Sequence, residues 1–403
     1  MTARKGTAHA WIMVVAVAAI VNVGYGTIFY SFGVLLGEGA AAGEFGRGTL
    51  SAAFGAGVVV SAALALPVGA LCDAKGPRRV FLFGAVAGAA GLAAFSQAAT
   101  AWQIIAVWAL LLGPAMACVF YEPAYVAVDQ WFDGPKGRPI GVLTVVAGLS
   151  ATVFVPLTQW LVEREGWRGA TLTLGAVLLA VVGSLSLLVV RNRPRPGARM
   201  ERMGPKAARA AILEGLGRAD RAFWLVSAAF FLALTATWAM LFHQVAYMQD
   251  LGFPAGGVAA AVGFSGAVSL PARFLLPALG DRVSPTALAA ATFGILALSG
   301  LVLLGAQEWW RVYVYVGLFG VAFGSVLPLR ALVMSRRFGG ALYGRLMGLQ
   351  QTGLALAMAV GPFAAGALRD ATGSYHVPWL GAVALFVAAV PAILAVRAAS
   401  PRG

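Results

Sequence analysis

The 403-residue sequence predicts an all-α membrane protein with twelve transmembrane helices in two pseudo-symmetric six-helix bundles. Three observations predict it. Hydrophobic residues make up 60% of the chain and charged residues only 11%, against roughly 25% charged in a soluble domain. The apolar residues fall into runs long enough to cross a bilayer, which takes about 20 residues of helix. Glycine and arginine positions of the first half also recur in the second, as expected for two parallel six-helix repeats.

The runs lie near 10–36, 49–71, 80–98, 102–128, 139–161, 169–190, 223–247, 256–279, 285–305, 311–335, 345–367 and 378–397, and are called spans one to twelve. Span one follows Arg4 and Lys5, as the core of a secretory signal would. Its apolar run continues to about Leu36, too long for a signal peptide, so it is read as an uncleaved first helix. Spans two and three are joined by a short polar loop from Leu71 to Arg79. Span four carries Cys118, Tyr121, Glu122, Tyr125 and Asp129 within about 100° of arc at helical periodicity. Spans five and six complete an N-terminal bundle over 1–190. A cytoplasmic basic linker over 191–221 follows. Its start, rich in proline, cannot be helical throughout. Its later part reads either as a short basic helix on the anionic inner leaflet or as a solvated linker. Spans seven to twelve form the C-terminal bundle over 222–403.

The net charge of +14 does not point to nucleic acid, because the basic residues occupy alternate loops. Lys75, Arg78, Arg79, Lys136, Arg138, Arg336 and Arg337 lie on one side, with Arg191, Arg193, Arg195, Arg199, Arg202, Lys206, Arg209, Arg218 and Arg221 of the linker. The other loops hold only Arg47, Arg164, Arg168, Arg311 and Arg369. This asymmetry places both termini and the linker in the cytoplasm, and the expected setting is the cell (inner) membrane. The two cysteines, Cys72 and Cys118, suggest neither a metal site nor a disulfide framework. No cofactor and no metal are expected, and a monomer is. There is no HExxH, nucleophile elbow or phosphate-binding loop. No enzymatic activity and no ATP-driven step are therefore expected.

The repeat is explicit in the residues. Gly113, Gly137, Arg138 and Gly141 pair with Gly320, Gly344, Arg345 and Gly348 at one constant offset, and Leu71 and Asp73 with Leu279 and Asp281 at nearly the same one. Gly69, Leu71, Asp73, Gly76 and Arg78 form a loop that resembles the GxLxDxxGxR signature of the major facilitator superfamily, in the matching place. Asp73 is expected to accept hydrogen bonds from the exposed amides at the start of span eleven, near Gly344 and Arg345, where the helix dipole favours an anion. Asp281 is expected to do the same against span five, near Gly137. Asp73, Arg78 and Asp281 are thus gate candidates; anchoring of these loops in the interface is the plainer alternative.

A narrower resemblance covers most of the chain. Gly24, Tyr25, Gly26, Phe29, Tyr30, Phe32 and Gly33 of span one carry it, with Trp131, Phe132, Gly137, Arg138, Gly141, Ala147 and Gly148 around span five. Ala272, Arg273, Pro277, Gly280 and Asp281 of span eight complete it. Together they resemble the monocarboxylate transporter family and its bacterial relatives, including the oxalate/formate antiporter branch. The resemblance implies transport of a small carboxylate such as lactate or pyruvate, often with a proton, and assigns the carboxylate to Arg273. Two departures stand out. Animal members have an aspartate where this chain has Ser269, and a lysine in span one where it offers Asn22, Tyr25 and Tyr30.

The residues support the same reading independently. Arg273 lies eight residues before Asp281, about 12 Å from the cytoplasmic end at 1.5 Å per residue, near the midplane where a charge is costly and usually functional. Ser265, Ser269 and Arg273 share a helix face, and a guanidinium matches a carboxylate in two parallel bonds; an arginine locked to a carboxylate of the protein itself is the alternative. Asn22, Tyr25, Tyr121, Tyr125, His243 and Tyr247 are further substrate-binding candidates. His243 binds substrate, relays a proton or rests in the interface. Gln350, Gln351 and Thr352 stay unassigned. Glu122 and Arg330 are expected at similar depth, one in each bundle, pairing when the cytoplasmic side closes so that protonation of Glu122 loosens the gate; pairing of each within its own bundle is the equal alternative, and the proton carrier is either Glu122 or His243. A drug or metabolite exporter, a carboxylate exchanger and a non-transporting sensor are the alternatives.

Overall fold

The computed structural model describes residues 2–35, 41–193, 217, 219–340 and 342–398. Most of the basic linker, including Arg195, Arg199, Arg202, Lys206, Arg209 and Arg218, lies outside them, so neither reading of it has a structural counterpart. The described residues are almost entirely helical and contain no strand. Helix is what a hydrocarbon solvent demands, since no water satisfies a bare backbone N–H or C=O there.

Among the described residues, eleven helical stretches are long and apolar enough to cross a membrane, and they make this a multi-pass membrane protein. The first five are Ala8–Leu35, Gly48–Lys75, Pro77–Ser96, Ala101–Trp131 and Gly137–Leu188. The rest are Arg221–Asp250, Gly256–Leu279, Pro285–Leu303, Trp309–Phe338, Tyr343–Thr372 and His376–Val396. The count differs from twelve because Gly137–Leu188 joins spans five and six. Its 52 residues would reach about 78 Å at 1.5 Å each, more than twice the roughly 30 Å of a hydrocarbon core. The chain turns at Gly166, where φ is 68° and ψ 171°, a conformation open to glycine and costly for other residues. Beside this turn, the Arg168 guanidinium donates to the Ser96 carbonyl at 2.6 Å and the Ala98 carbonyl at 3.0 Å, tying it to the end of span three.

Three spans are irregular inside. Span one widens into a π-helical turn over Tyr25–Tyr30. The helix of span five stops at Gly148 and restarts at Ser150. Span four is interrupted at Phe120, whose backbone is extended at φ −86° and ψ −162°. The cause is Pro123, whose ring in a continuous helix would strike the Val119 carbonyl four residues back. The break corrects the single polar face expected of span four: Cys118 belongs to the helix before it, whereas Tyr121, Glu122, Tyr125 and Asp129 lie on the one after.

The described residues fall into two compact units. One comprises those within Met1–Gly134, Val142–Gly215 and Phe338–Thr352; the other, those within Pro135–Gly141, Leu216–Arg337 and Gly353–Gly403. Inside each unit, glycines bring helix backbones into contact. A Cβ at Gly69 would lie 2.0 Å from the Gly344 carbonyl oxygen, and one at Gly348 2.3 Å from that of Ala65. In the second unit a Cβ at Gly137 would lie 1.9 Å from the Pro277 oxygen, and one at Gly324 2.3 Å from that of Ser269. Small residues permit such approaches, and in membranes they replace the hydrophobic drive that lipid removes.

Gly137→Ala should therefore destabilise the protein by about 1–3 kcal/mol through overpacking against backbone. Gly134→Ala, whose new methyl would meet nothing within 4 Å, is the control. Thermal unfolding of both variants in one detergent checks this; equal midpoints would refute the contact.

Candidate functional site

Asp73, two residues before the end of span two, is 4% exposed. Its carboxylate accepts from the amides of Gly344 at 2.8 Å and Arg345 at 2.9 Å, near the start of the helix Tyr343–Thr372. The first four amides of a helix have no partner within it, and the dipole there favours negative charge. Gly69 and Gly344 make the approach possible, because side chains at either would hold the backbones apart. Next to this clasp, Asp129 is 1% exposed and lies 3.4 Å from the Gly340 amide, which donates to it. The Gln130 side chain donates to the Cys72 carbonyl at 3.1 Å. Arg78 donates from its backbone to Asn192 at 3.1 Å and from its guanidinium to the Leu187 carbonyl at 2.7 Å, fastening the loop to the end of span six.

The second unit holds the counterpart. Asp281 accepts from the amides of Gly137 at 2.7 Å and Arg138 at 3.2 Å, the first residues of the helix Gly137–Gly148. The Arg336 guanidinium donates to the Gly280 carbonyl at 2.8 Å. Both carboxylates thus meet the amides at which the sequence aimed them, and by the same chemistry.

Arg273 is half-buried in span eight, its guanidinium carbon 6.0 Å from the centre of the Phe323 ring. Spans eight and ten touch backbone to backbone through Gly320 and Gly324, against the carbonyls of Ser265 and Ser269. The Ser325 hydroxyl adds a bond to the Ala272 carbonyl at 3.3 Å. Ser269 is accordingly buried, its hydroxyl donating back to the Gly266 carbonyl at 2.7 Å. Around Phe323 stand Phe319, stacked parallel at 5.8 Å, and Trp238, edge-on at 6.5 Å. These aromatic neighbours were not singled out from the sequence. The four-residue spacing of Gly320 and Gly324 was the available signal, since it marks close helix contact.

In the first unit, the irregular turn of span one and the break in span four lie together. Tyr25 stacks on Phe120 with ring centres 3.9 Å apart and meets Tyr121 at 5.2 Å. Tyr121 in turn stacks on Tyr125 at 5.6 Å. Tyr25, Tyr121 and Glu122 are half-buried, and Tyr125 is buried. Asn22 donates to the Val146 carbonyl at 2.7 Å, and the Ser150 hydroxyl donates to the Asn22 carbonyl at 2.6 Å. Asn22 therefore serves the break in span five.

His243 and Tyr247 lie at the far end of span seven. The His243 ring nitrogens lie 3.1 Å from the Tyr375 hydroxyl and 3.0 Å from the Pro362 carbonyl. A carbonyl only accepts, so Nε2 carries the hydrogen. Tyr247 receives the Gly305 amide at 3.2 Å and packs on Trp379 at 4.6 Å. Glu122 stands in the first turn of Tyr121–Trp131, in the first unit. Arg330, 1% exposed, lies in Trp309–Phe338, in the second. Among the described residues no group of three or more His, Cys, Asp or Glu could hold a metal ion.

The model of the Major Facilitator Superfamily matches residues 18–362. Rat monocarboxylate transporter 13 is 28% identical over 368 residues, covering 90% of this chain and 83% of that protein. Among solved structures, the human organic anion transporter MFSD10 (TETRAN) superposes with a TM-score of 0.75 at 17% identity, covering 95% of this chain and 99% of that one. The fucose:proton symporter FucP of E. coli gives 0.74 at 15% identity, covering 97% and 98%. These relatives are transporters and not enzymes. Two helical units, each closed by a loop carboxylate on the amides of a helix start, and a family match across most of the sequence lead to one conclusion: the chain belongs to the Major Facilitator Superfamily.

Proposed function

We propose that this secondary transporter carries a small monocarboxylate, such as lactate or pyruvate, with a proton, by alternating access. It would work in the cell (inner) membrane with both termini cytoplasmic, as the loop charges argue. The observation that carries the reading is Arg273, a half-buried guanidinium inside a membrane span. Its fork suits a carboxylate, and one and two turns before it the backbones of spans eight and ten are in contact. The name of rat monocarboxylate transporter 13, at 28% identity, supports the same class of substrate. Tyr25, Tyr121 and Tyr125 are proposed as further contacts.

In this reading the Asp73 and Asp281 clasps are the latches of the cytoplasmic side, released and remade once per cycle, with Arg78 steadying the first. Glu122 is the proton carrier and Arg330 its electrostatic counterpart, a role drawn from the repeat.

Three variants test these roles in proteoliposomes. Arg273→Lys keeps the charge and loses the fork, so uptake of lactate or pyruvate should fall at least about tenfold; normal uptake would end the assignment. Asp73→Asn weakens the charge-assisted bonds to the amides, and should slow turnover severalfold with little change in KM. A fall in affinity at unchanged turnover would contradict the latch. Glu122→Gln should abolish accumulation driven by an inward proton gradient while leaving exchange of internal for external substrate. Loss of both together would remove Glu122 from proton coupling.

A further inference from the structure

Resting on the reading of Asp73 as a latch, we propose that the first residues of the linker form a strap that sets this latch, with Asn192 as its positioning residue. The helix of span two ends at Lys75 and that of span three begins at Pro77. Gly76 alone stands between them, buried and at φ 78°. Pro77 has a fixed φ and no amide hydrogen, so the Arg78 amide is the first that this helix start offers. Gly76 has no side chain with which to cap it. The cap comes from the linker, where the Asn192 side-chain oxygen accepts from the Arg78 amide at 3.1 Å. In the opposite direction, the helix of span six ends at Leu188, and the Arg78 guanidinium donates to the Leu187 carbonyl at 2.7 Å. The dipole at a helix end favours a cation there. Each segment thus caps the helix of the other. Gly76 permits the approach, since a Cβ there would lie 2.3 Å from the Asn192 Oδ1.

The residues on either side of Asn192 are fastened to the end of span four. The Arg191 carbonyl accepts from the Trp131 indole at 3.0 Å, and the Arg193 guanidinium lies 3.4 Å from the Asp133 carboxylate. Gln130, beside Trp131, donates to the Cys72 carbonyl at 3.1 Å. The contacts close a circuit that runs from the linker to the end of span four, on to the end of span two, and back through Arg78 to Asn192. Asp73 stands on that circuit, next to Cys72. One carboxylate that meets two amides, at 2.8 and 2.9 Å, needs the end of span two at a set place and angle, because hydrogen bonds weaken steeply when bent. Asn192 is itself exposed, and acts on the latch through the loop. A linker drawn away from this face releases the loop, and with it the grip of Asp73.

Amide hydrogen exchange of the full chain in lipid nanodiscs, read by mass spectrometry over residues 77–80 and 343–347, tests this without any substrate. Asn192→Leu keeps the size of the side chain and loses the acceptor. Exchange over 77–80 should quicken about threefold to tenfold as the cap is lost. Exchange over 343–347, where Asp73 holds its two amides, should quicken in the same range. Asn192→Asp keeps an acceptor oxygen at a helix start and should return both segments to their native rates. Adding Asn192→Leu to Asp73→Asn should quicken 343–347 no further, since the bonds through which it acts are already weakened. If Asn192→Leu quickens 77–80 alone, or neither segment, the strap is refuted and the latch stands. Failure of Asn192→Asp to restore the native rates refutes it too. If Asp73→Asn by itself leaves 343–347 at the native rate, the latch reading falls and the strap with it.

Discussion

Inside a bilayer, a backbone amide or carbonyl that leaves its helix must find another partner in the protein, and the break in span five meets that requirement with side chains. The break between Gly148 and Ser150 in span five is served by Asn22 and Ser150, which exchange bonds between spans one and five. Buried hydroxyls obey the same rule by returning to their own helix: Thr27 donates to the Val23 carbonyl at 2.8 Å and Thr237 to that of Ala233 at 2.7 Å. At helix starts, where the amides have no internal partner, the two loop aspartates supply one. What makes those sites usable is glycine. A carboxylate reaches the amides of Gly344 only because the neighbouring helix backbones touch.

The two clasps also show how a duplicated plan is kept while surrounding residues diverge. Asp73 is more deeply buried than Asp281, and among the described residues only the first has a second buried carboxylate, Asp129, facing the same connection between spans ten and eleven. The amides themselves are alike, a glycine followed by an arginine in both units. Backbone geometry is thus shared between the halves, and electrostatics is where they differ.

Hydropathy alone delimited the spans, because lipid imposes length and apolarity on every crossing. Asp73 and Asp281 were legible for a related reason: a lone carboxylate beside glycines, at a repeated offset from a helix start, has few other uses. The polar face of span four was misjudged because periodicity assumes a continuous helix; Pro123, three residues past the break, carried the contrary signal. The π-helical turn of Tyr25–Tyr30, where Tyr25 stacks on Phe120 and Gly26 lies against the Phe154 ring, leaves no mark in hydropathy. Phe323 and Trp238 were also hidden. Tertiary contact, set by Gly320 and Gly324, decides which of many aromatic side chains stands beside Arg273.

The order of synthesis gives the first clasp a history. Asp73 and the amide of Arg345 are 272 residues apart in the chain, a distance the ribosome covers in roughly 15–50 s at about 5–20 residues per second. Throughout that interval span two is already made, and its terminal carboxylate has no helix start to hold. The unit that contains Asp73 is complete only when residues 338–352, from late in the chain, join it. During biogenesis the first half therefore waits as an open assembly, its loop still solvated at the membrane surface. Sealing of that loop marks the arrival of the second half.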